Sequence, residues 1–319
     1  MAQIVARGMM DGAIGLSTGL EYPVASHAPT SELLPLALAA AQAGGLYVSH
    51  LRDEGARVIE AMQEAFQVGM NAGLPVVLSH HKVAGPVNYG RTVDTLALID
   101  LARQSQPVHF DVYPYIAAST VLAEGTASRS ERTLIAWSTP HPEMAGRDLD
   151  EVAHAMGLER VAAIEALKPA GGTYFQMDEA DVQRVLCHHC AMIGSDGLPN
   201  DIHPHPRLWG SFGRVLGHYA RDVGLFSLEE AVRRMTGLPA QVFGLRDRGC
   251  VRVGAWADLV VFDPKVINDT ATFTDPMQAS AGIHAVIVAG TLSWLDGRPT
   301  GERAGRTLRR GIDAAYRFD

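Results

Sequence analysis

The chain has 319 residues, 47% hydrophobic and 19% charged, the balance of an ordinary globular fold. A net charge of −8 and an isoelectric point near 5.9 leave no basic footprint for nucleic acid. No stretch reaches the roughly 20 apolar residues of a membrane helix, so neither a nucleic-acid nor a membrane partner is expected.

In chain order, residues 1–10 have the pattern of the middle of an amphipathic helix, with no secretory signal in 1–12. Residues 13–17 (AIGLS) predict a strand and 31–43 a helix, which the Gly44–Gly45 pair ends. Residues 46–50 (LYVSH) are the next strand. Apolar residues at helical spacing (Val58, Ile59, Met62, Phe66 and Met70) predict a helix over 55–71. Strand 75–80 (PVVLSH), helix 92–104, strand 108–113 (VHFDVY) and strand 191–196 (AMIGSD) follow. Strands alternating with helices imply βαβ units and a parallel sheet. Polar residues end these strands: Ser17, His50, His80, Tyr113 and Asp196. Both closed (β/α) barrels and open doubly wound sheets place ligands at that end.

The stretch between Tyr115 and Ala191 is too long for one connection, since a βα unit takes about 30 residues. It predicts an extra subdomain or lid at about 116–190, with helix over 148–167. A helix is expected at 228–236. Residues 249–263 and 283–294 read as short strands with Gly turns, a small β module. The division expected is 1–245 for the α/β part with its insertion and 246–319 for the β segment and tail.

His50 and His80 each close an apolar strand and begin a loop. Neutral imidazole is the commonest metal ligand, and zinc accepts N, S and O donors. With Asp196 of the GSDG turn they make a candidate metal set, with Asp196 also placed to take a proton from water. A strand-end His that caps a helix, and an Asp serving a Gly-flanked turn, are the plainer readings of each residue alone. Lys82 and Arg207 are candidate anion anchors; a guanidinium grips a carboxylate well. The run Cys187-His188-His189-Cys190 has C-x-x-C spacing but no second pair, so no structural zinc is expected there. Three Cys are too few for a disulfide framework, and a reducing cytoplasm is the expected location. Phosphate-loop motifs are absent.

Several motifs together resemble the N-acyl-D-amino-acid deacylase (D-aminoacylase) family of the amidohydrolase superfamily. They are GAIGLSTGLEYP (12–23), YVSHLRDEG (47–55), LSHHKVAGPVNYGR (78–91), FDVYPYIAAST (110–120), MIGSDGLPNDIHPHPRLWG (192–210) and WADLVVFDP (256–264). The resemblance implies part of a TIM-type (β/α)8 barrel, about strands 4–8, with an inserted lid subdomain and part of a C-terminal β-sandwich. It implies zinc and a small-molecule N-acyl-D-amino acid as substrate. It implies His50 and His80 as metal ligands, with Asp196 as the catalytic acid/base and a third ligand. Lys82, Tyr113, Ser119 and Arg207 are implied to contact substrate, and Tyr174 and Met177 to line its acyl or side-chain pocket.

The chain departs from the family pattern at its start. No H-x-H pair precedes Ala13 and no Cys precedes Cys187, although the family uses both in its metal site. The expectation is a chain lacking the first barrel strands, with weak zinc binding, impaired activity and a possible need for an N-terminal segment. A non-catalytic fragment of such an enzyme and a hydantoinase-like cyclic amidase are the alternatives.

Overall fold

A computed structural model describes residues 1–315. Helix α1 (Ala2–Met10) buries Met9 and leads into strand β1 (Gly15–Gly19). Four further units follow: α2 (Thr30–Ala41) and β2 (Leu46–His50); α3 (Val58–Ala72) and β3 (Val76–Leu78); α4 (Thr92–Ala102) and β4 (Val108–Val112). The fourth unit is closed by β8 (Ala191–Ile193), which follows the insertion. These strands pair in parallel in the order β1-β2-β3-β4-β8. The middle of such a sheet is buried on both faces, which explains the unbroken apolar run of β3 and the apolar residues beside it in β4: Val76, Val77, Leu78, Val108 and Phe110 are all at most 1% exposed.

Helix α3 shows how local sequence sets the scaffold. Val58, Met62, Ala65, Phe66 and Val68 lie on its buried side, and Gly73 ends it at φ 70°, a left-handed conformation that glycine adopts without a Cβ penalty. Gly69 is required for a different reason. A Cβ there would stand 2.2 Å from Val76 Cγ2, so its absence lets α3 pack tightly on β3.

The insertion is more β-rich than the sequence suggested. Strands β5 (Ala117–Val121), β6 (Arg132–Ser138) and β7 (Ala170–Phe175) form an antiparallel sheet in the order β5-β7-β6. Helices α5 (Glu124–Ser128), α6 (Leu149–Met156) and α7 (Arg160–Leu167) pack with it around a separate core of Leu122, Ile135, Leu149, Ile164 and Tyr174. The expected 148–167 helix is two helices, because Gly157 turns left-handed at φ 65° and ends the first. Helix α8 (Glu179–Cys187) returns to the main sheet, its N-terminus capped by the Asp178 carboxylate accepting from the N–H groups of Ala180 and Asp181.

After β8 come α9 (Arg207–Arg214), a π-helical stretch Val215–Asp222, α10 (Leu228–Met235) and α11 (Gly237–Val242). A four-stranded antiparallel sheet, β9 (Leu259–Phe262), β10 (Ile283–Val288), β11 (Thr291–Leu295) and β12 (Arg298–Pro299), stands apart from the parallel one. Among the described residues no helix is long and apolar enough to cross a membrane.

Candidate metal centre and carboxylate pocket

The parallel sheet brings its strand ends to one rim. His50 is the last residue of β2, His80 lies two residues beyond β3, Tyr113 follows β4, and Asp196 lies three residues beyond β8. His80 and Asp196 are held at φ 40° and 46°, a region costly for residues with a side chain. Such strain persists only where surrounding structure fixes it, and it concentrates at functional sites.

His50 Nδ1 and His80 Nε2 face each other at 2.9 Å. Behind them, His50 Nε2 lies 3.0 Å from the Glu21 carboxylate, and His80 Nδ1 lies 3.0 Å from Glu54 Oε1 and 2.7 Å from Lys82 Nζ. His50, Glu54 and His80 each present a ligating atom within 4.8 Å of the others. The two facing imidazoles fit two positions of a zinc site: two ligand nitrogens on a tetrahedral ion, each at about 2.0–2.1 Å, stand roughly 3.3 Å apart. The two rings already approach that spacing, and each has its far nitrogen engaged by a charged neighbour, the usual support of a metal-binding His.

Glu54 is 3% exposed. Burial pushes its carboxyl up, but Lys82, His50 and His80 more than offset this and hold it well below the usual carboxylate range. Burial likewise works against the Glu21 carboxylate, and the His50 hydrogen bond with the Arg129 charge brings it below its ordinary value. The Tyr22 ring packs on His50 at 4.8 Å.

Asp196 stands outside the His50–Glu54–His80 group. Its carboxylate pairs at 2.8 Å with Arg207, whose side chain is only 1% exposed. Arg207 also donates to the Ser119 carbonyl at 3.0 Å and lies 4.5 Å over the Tyr113 ring. Arg207 Nε and Nη1, the Tyr113 hydroxyl and the Ser119 hydroxyl are all buried without a partner. Four orphaned polar groups on three touching residues mark a place for a polar ligand, since leaving them unpaired is costly.

The remaining sequence candidates divide. Met177 lines a small cavity with His80, Lys82 and Tyr113. Lys82 is 7% exposed, and its ammonium donates to Glu54 at 2.7 Å. Tyr174 is placed differently from the expected pocket position. It is fully buried in the insertion's own core, and its hydroxyl donates to the Val121 carbonyl at 2.8 Å and accepts from the Ala123 N–H at 3.0 Å. Sequence reasoning passed over Glu21, Tyr22 and Glu54. Glu54 follows His50 by four residues in the same rim loop, which was the available signal. The Cys187–Cys190 run gathers His188, His189 and Cys190 within 4.8 Å, at the start of β8 and thus at the opposite end from Asp196.

Residues 37–293 match the amidohydrolase family. The chain is 51% identical over 310 residues to a D-aminoacylase of Alcaligenes xylosoxydans xylosoxydans, which covers 97% of this chain and 64% of that relative, so it spans less than two thirds of the relative's length. A crystal structure of D-aminoacylase superposes with a TM-score of 0.94 at 50% identity, covering 97% of this chain and 66% of the other. An N-acyl-D-glutamate deacylase from Bordetella bronchiseptica, solved with zinc and a phosphonate mimic of the tetrahedral intermediate, superposes at 0.93 with 46% identity over 97% and 65% of the two chains. With four-fifths of its residues matched to the family and its strand-end histidines gathered at one rim, the chain belongs to the amidohydrolase family.

Proposed function

We propose that this chain carries the metal-binding and carboxylate-binding part of a zinc-dependent N-acyl-D-amino-acid deacylase. The observation that supports it most is the pairing of two sites on one rim: facing imidazoles at His50 and His80, and the orphaned polar groups of Arg207, Tyr113 and Ser119. The names of the relatives, D-aminoacylase and N-acyl-D-glutamate deacylase, support the substrate class.

In this reading water adds to the amide carbonyl carbon, the C–N bond breaks, and a D-amino acid and a carboxylic acid leave. Zinc held by His50 and His80 would supply Lewis acidity, polarising the carbonyl and making water easier to deprotonate. Arg207 binds the substrate carboxylate through its free N–H groups, and the Tyr113 and Ser119 hydroxyls complete that pocket. Asp196, next to Arg207, takes a proton from the attacking water and returns it to the leaving nitrogen. Met177 borders the space beside His80 and serves the acyl or side-chain pocket.

The test is hydrolysis of N-acetyl-D- and N-acetyl-L-amino acids by the zinc-supplemented protein, with release of the free amine as readout. Turnover that is weak in this chain, confined to the D series and abolished by Asp196→Asn is expected. Equal turnover of both enantiomers, or full activity after Asp196→Asn, would sink the assignment.

A further inference from the structure

Two groups crowd one nitrogen of His80. Lys82 Nζ lies 2.7 Å from Nδ1, Glu54 Oε1 lies 3.0 Å from the same atom, and Lys82 and Glu54 are themselves 2.7 Å apart. An ammonium only donates and a carboxylate only accepts. Nδ1 can therefore serve one of them at a time: it accepts from Lys82 when bare, and donates to Glu54 when protonated.

The choice decides what His80 shows to His50. When Lys82 donates to Nδ1, the ring proton sits on Nε2 and points at His50 Nδ1, 2.9 Å away. His50 can accept it, because its own proton lies on Nε2, donated to Glu21 at 3.0 Å. The hydrogen bonds then run in one direction from Lys82 through His80 and His50 to Glu21, each with a single proton. In that state Nε2 of His80 is capped and cannot ligate. When the proton sits on Nδ1, Glu54 accepts it, and both facing nitrogens turn bare lone pairs toward one point. Lys82 keeps its bond to Glu54 throughout.

We infer that His80 is a tautomer switch, with Lys82 selecting the closed form that blocks metal and Glu54 selecting the open form that admits it. One proton leaves Nε2 and one arrives at Nδ1 by exchange with water, and the ring is neutral before and after. The inference rests on the proposed metal-site reading of His50 and His80 and adds a positioning role for Glu54 and an opposing one for Lys82. A merely structural role would make loss of either residue weaken the site. The switch requires the two losses to act with opposite signs.

The experiment is zinc affinity by competition with a chromophoric chelator, on the full chain and on Glu54→Gln, Lys82→Met, His50→Asn and His80→Asn. Glu54→Gln is expected to weaken zinc binding about 10- to 100-fold, the usual cost of losing a partner behind a ligand. Lys82→Met is expected to tighten it by about threefold or more, since a competing donor and a nearby positive charge both go. Imidazole 15N NMR of the unmutated protein gives a readout that needs no variant. It should show His80 protonated at Nε2 without zinc and at Nδ1 with it. Shifts of the same sign in Glu54→Gln and Lys82→Met, or a His80 tautomer that zinc leaves unchanged, overturn the switch while leaving the site standing. Undiminished zinc binding by both His→Asn variants overturns the metal-site reading itself, and the switch with it.

Discussion

Replacing Arg207 by Ala separates a carboxylate anchor from a structural cation. Arg207 is 1% exposed, and two of its three guanidinium nitrogens have no partner among the described residues, so folding has already removed water from donors left unsatisfied there. A ligand carboxylate arriving there gains a charge-assisted hydrogen bond without much further desolvation, a contribution of about 1.5–3 kcal/mol. At 1.4 kcal/mol per decade, the loss in Arg207→Ala is about 10- to 150-fold in Kd. The assay is calorimetric titration, under chelator to prevent turnover, with an N-acyl-D-amino acid and with its carboxamide. Only the acid should lose affinity, while the carboxamide should bind both proteins within about threefold. Arg207→Ala also removes the pair with Asp196 and the contact over Tyr113, so a general loosening of the pocket is the competing explanation. A loosened pocket would weaken acid and carboxamide alike, and equal losses for the two ligands would refute the reasoning.

Asp196→Asn should lower kcat by at least about 100-fold while leaving zinc affinity and acid binding nearly unchanged, as checked by steady-state rates beside the chelator competition. Tyr174→Phe should cost about 1–3 kcal/mol of stability, because the Val121 carbonyl and Ala123 N–H both lose a buried partner, and denaturant unfolding measures it. Burial, then the neighbouring charges of Arg103 and His189, lowers His109 from 6.5 to about 4. The unfolded chain therefore takes up the proton first: this contribution is intact above pH 6.5 and is lost as pH falls toward 4, by at most about 1.4 kcal/mol per pH unit. His109→Gln should flatten that part of the acid-unfolding curve, and an unchanged slope would count against a neutral buried imidazole.

Where a segment's own pattern sets its place, the sequence was easy to read. The buried middle of the parallel sheet shows short apolar runs such as β3 because both of its faces are covered, and α3 declares itself through helical spacing and a closing glycine. His50 and His80 could be singled out because each ends such a run. The insertion was harder. β7 begins Ala170-Gly171-Gly172, a poor strand by composition, yet Gly171 is there because a Cβ would meet Trp137 Nε1 at 2.2 Å across the pair with β6. Only the resemblance points to Tyr174 as a pocket residue, and nothing local reveals that its hydroxyl bonds backbone some 50 residues earlier. Glu21 and Glu54 escaped notice for a related reason. A carboxylate in a loop reads as solvated until the fold sets it against the far nitrogen of a histidine from another strand. Lys82 was legible as a cation, but not as one already neutralised by Glu54.

The most direct test of where the metal sits is anomalous diffraction at the zinc edge from crystals of the zinc-loaded protein. Among the described residues two donor clusters compete for the ion: His50, Glu54 and His80 at one end of the sheet, and His188, His189 and Cys190 at the other. The account predicts a peak bound by Nδ1 of His50 and Nε2 of His80, with Glu54 behind His80 and not on the ion. A peak only at His188–Cys190, or zinc at the first cluster bound through Nδ1 of His80, would contradict it.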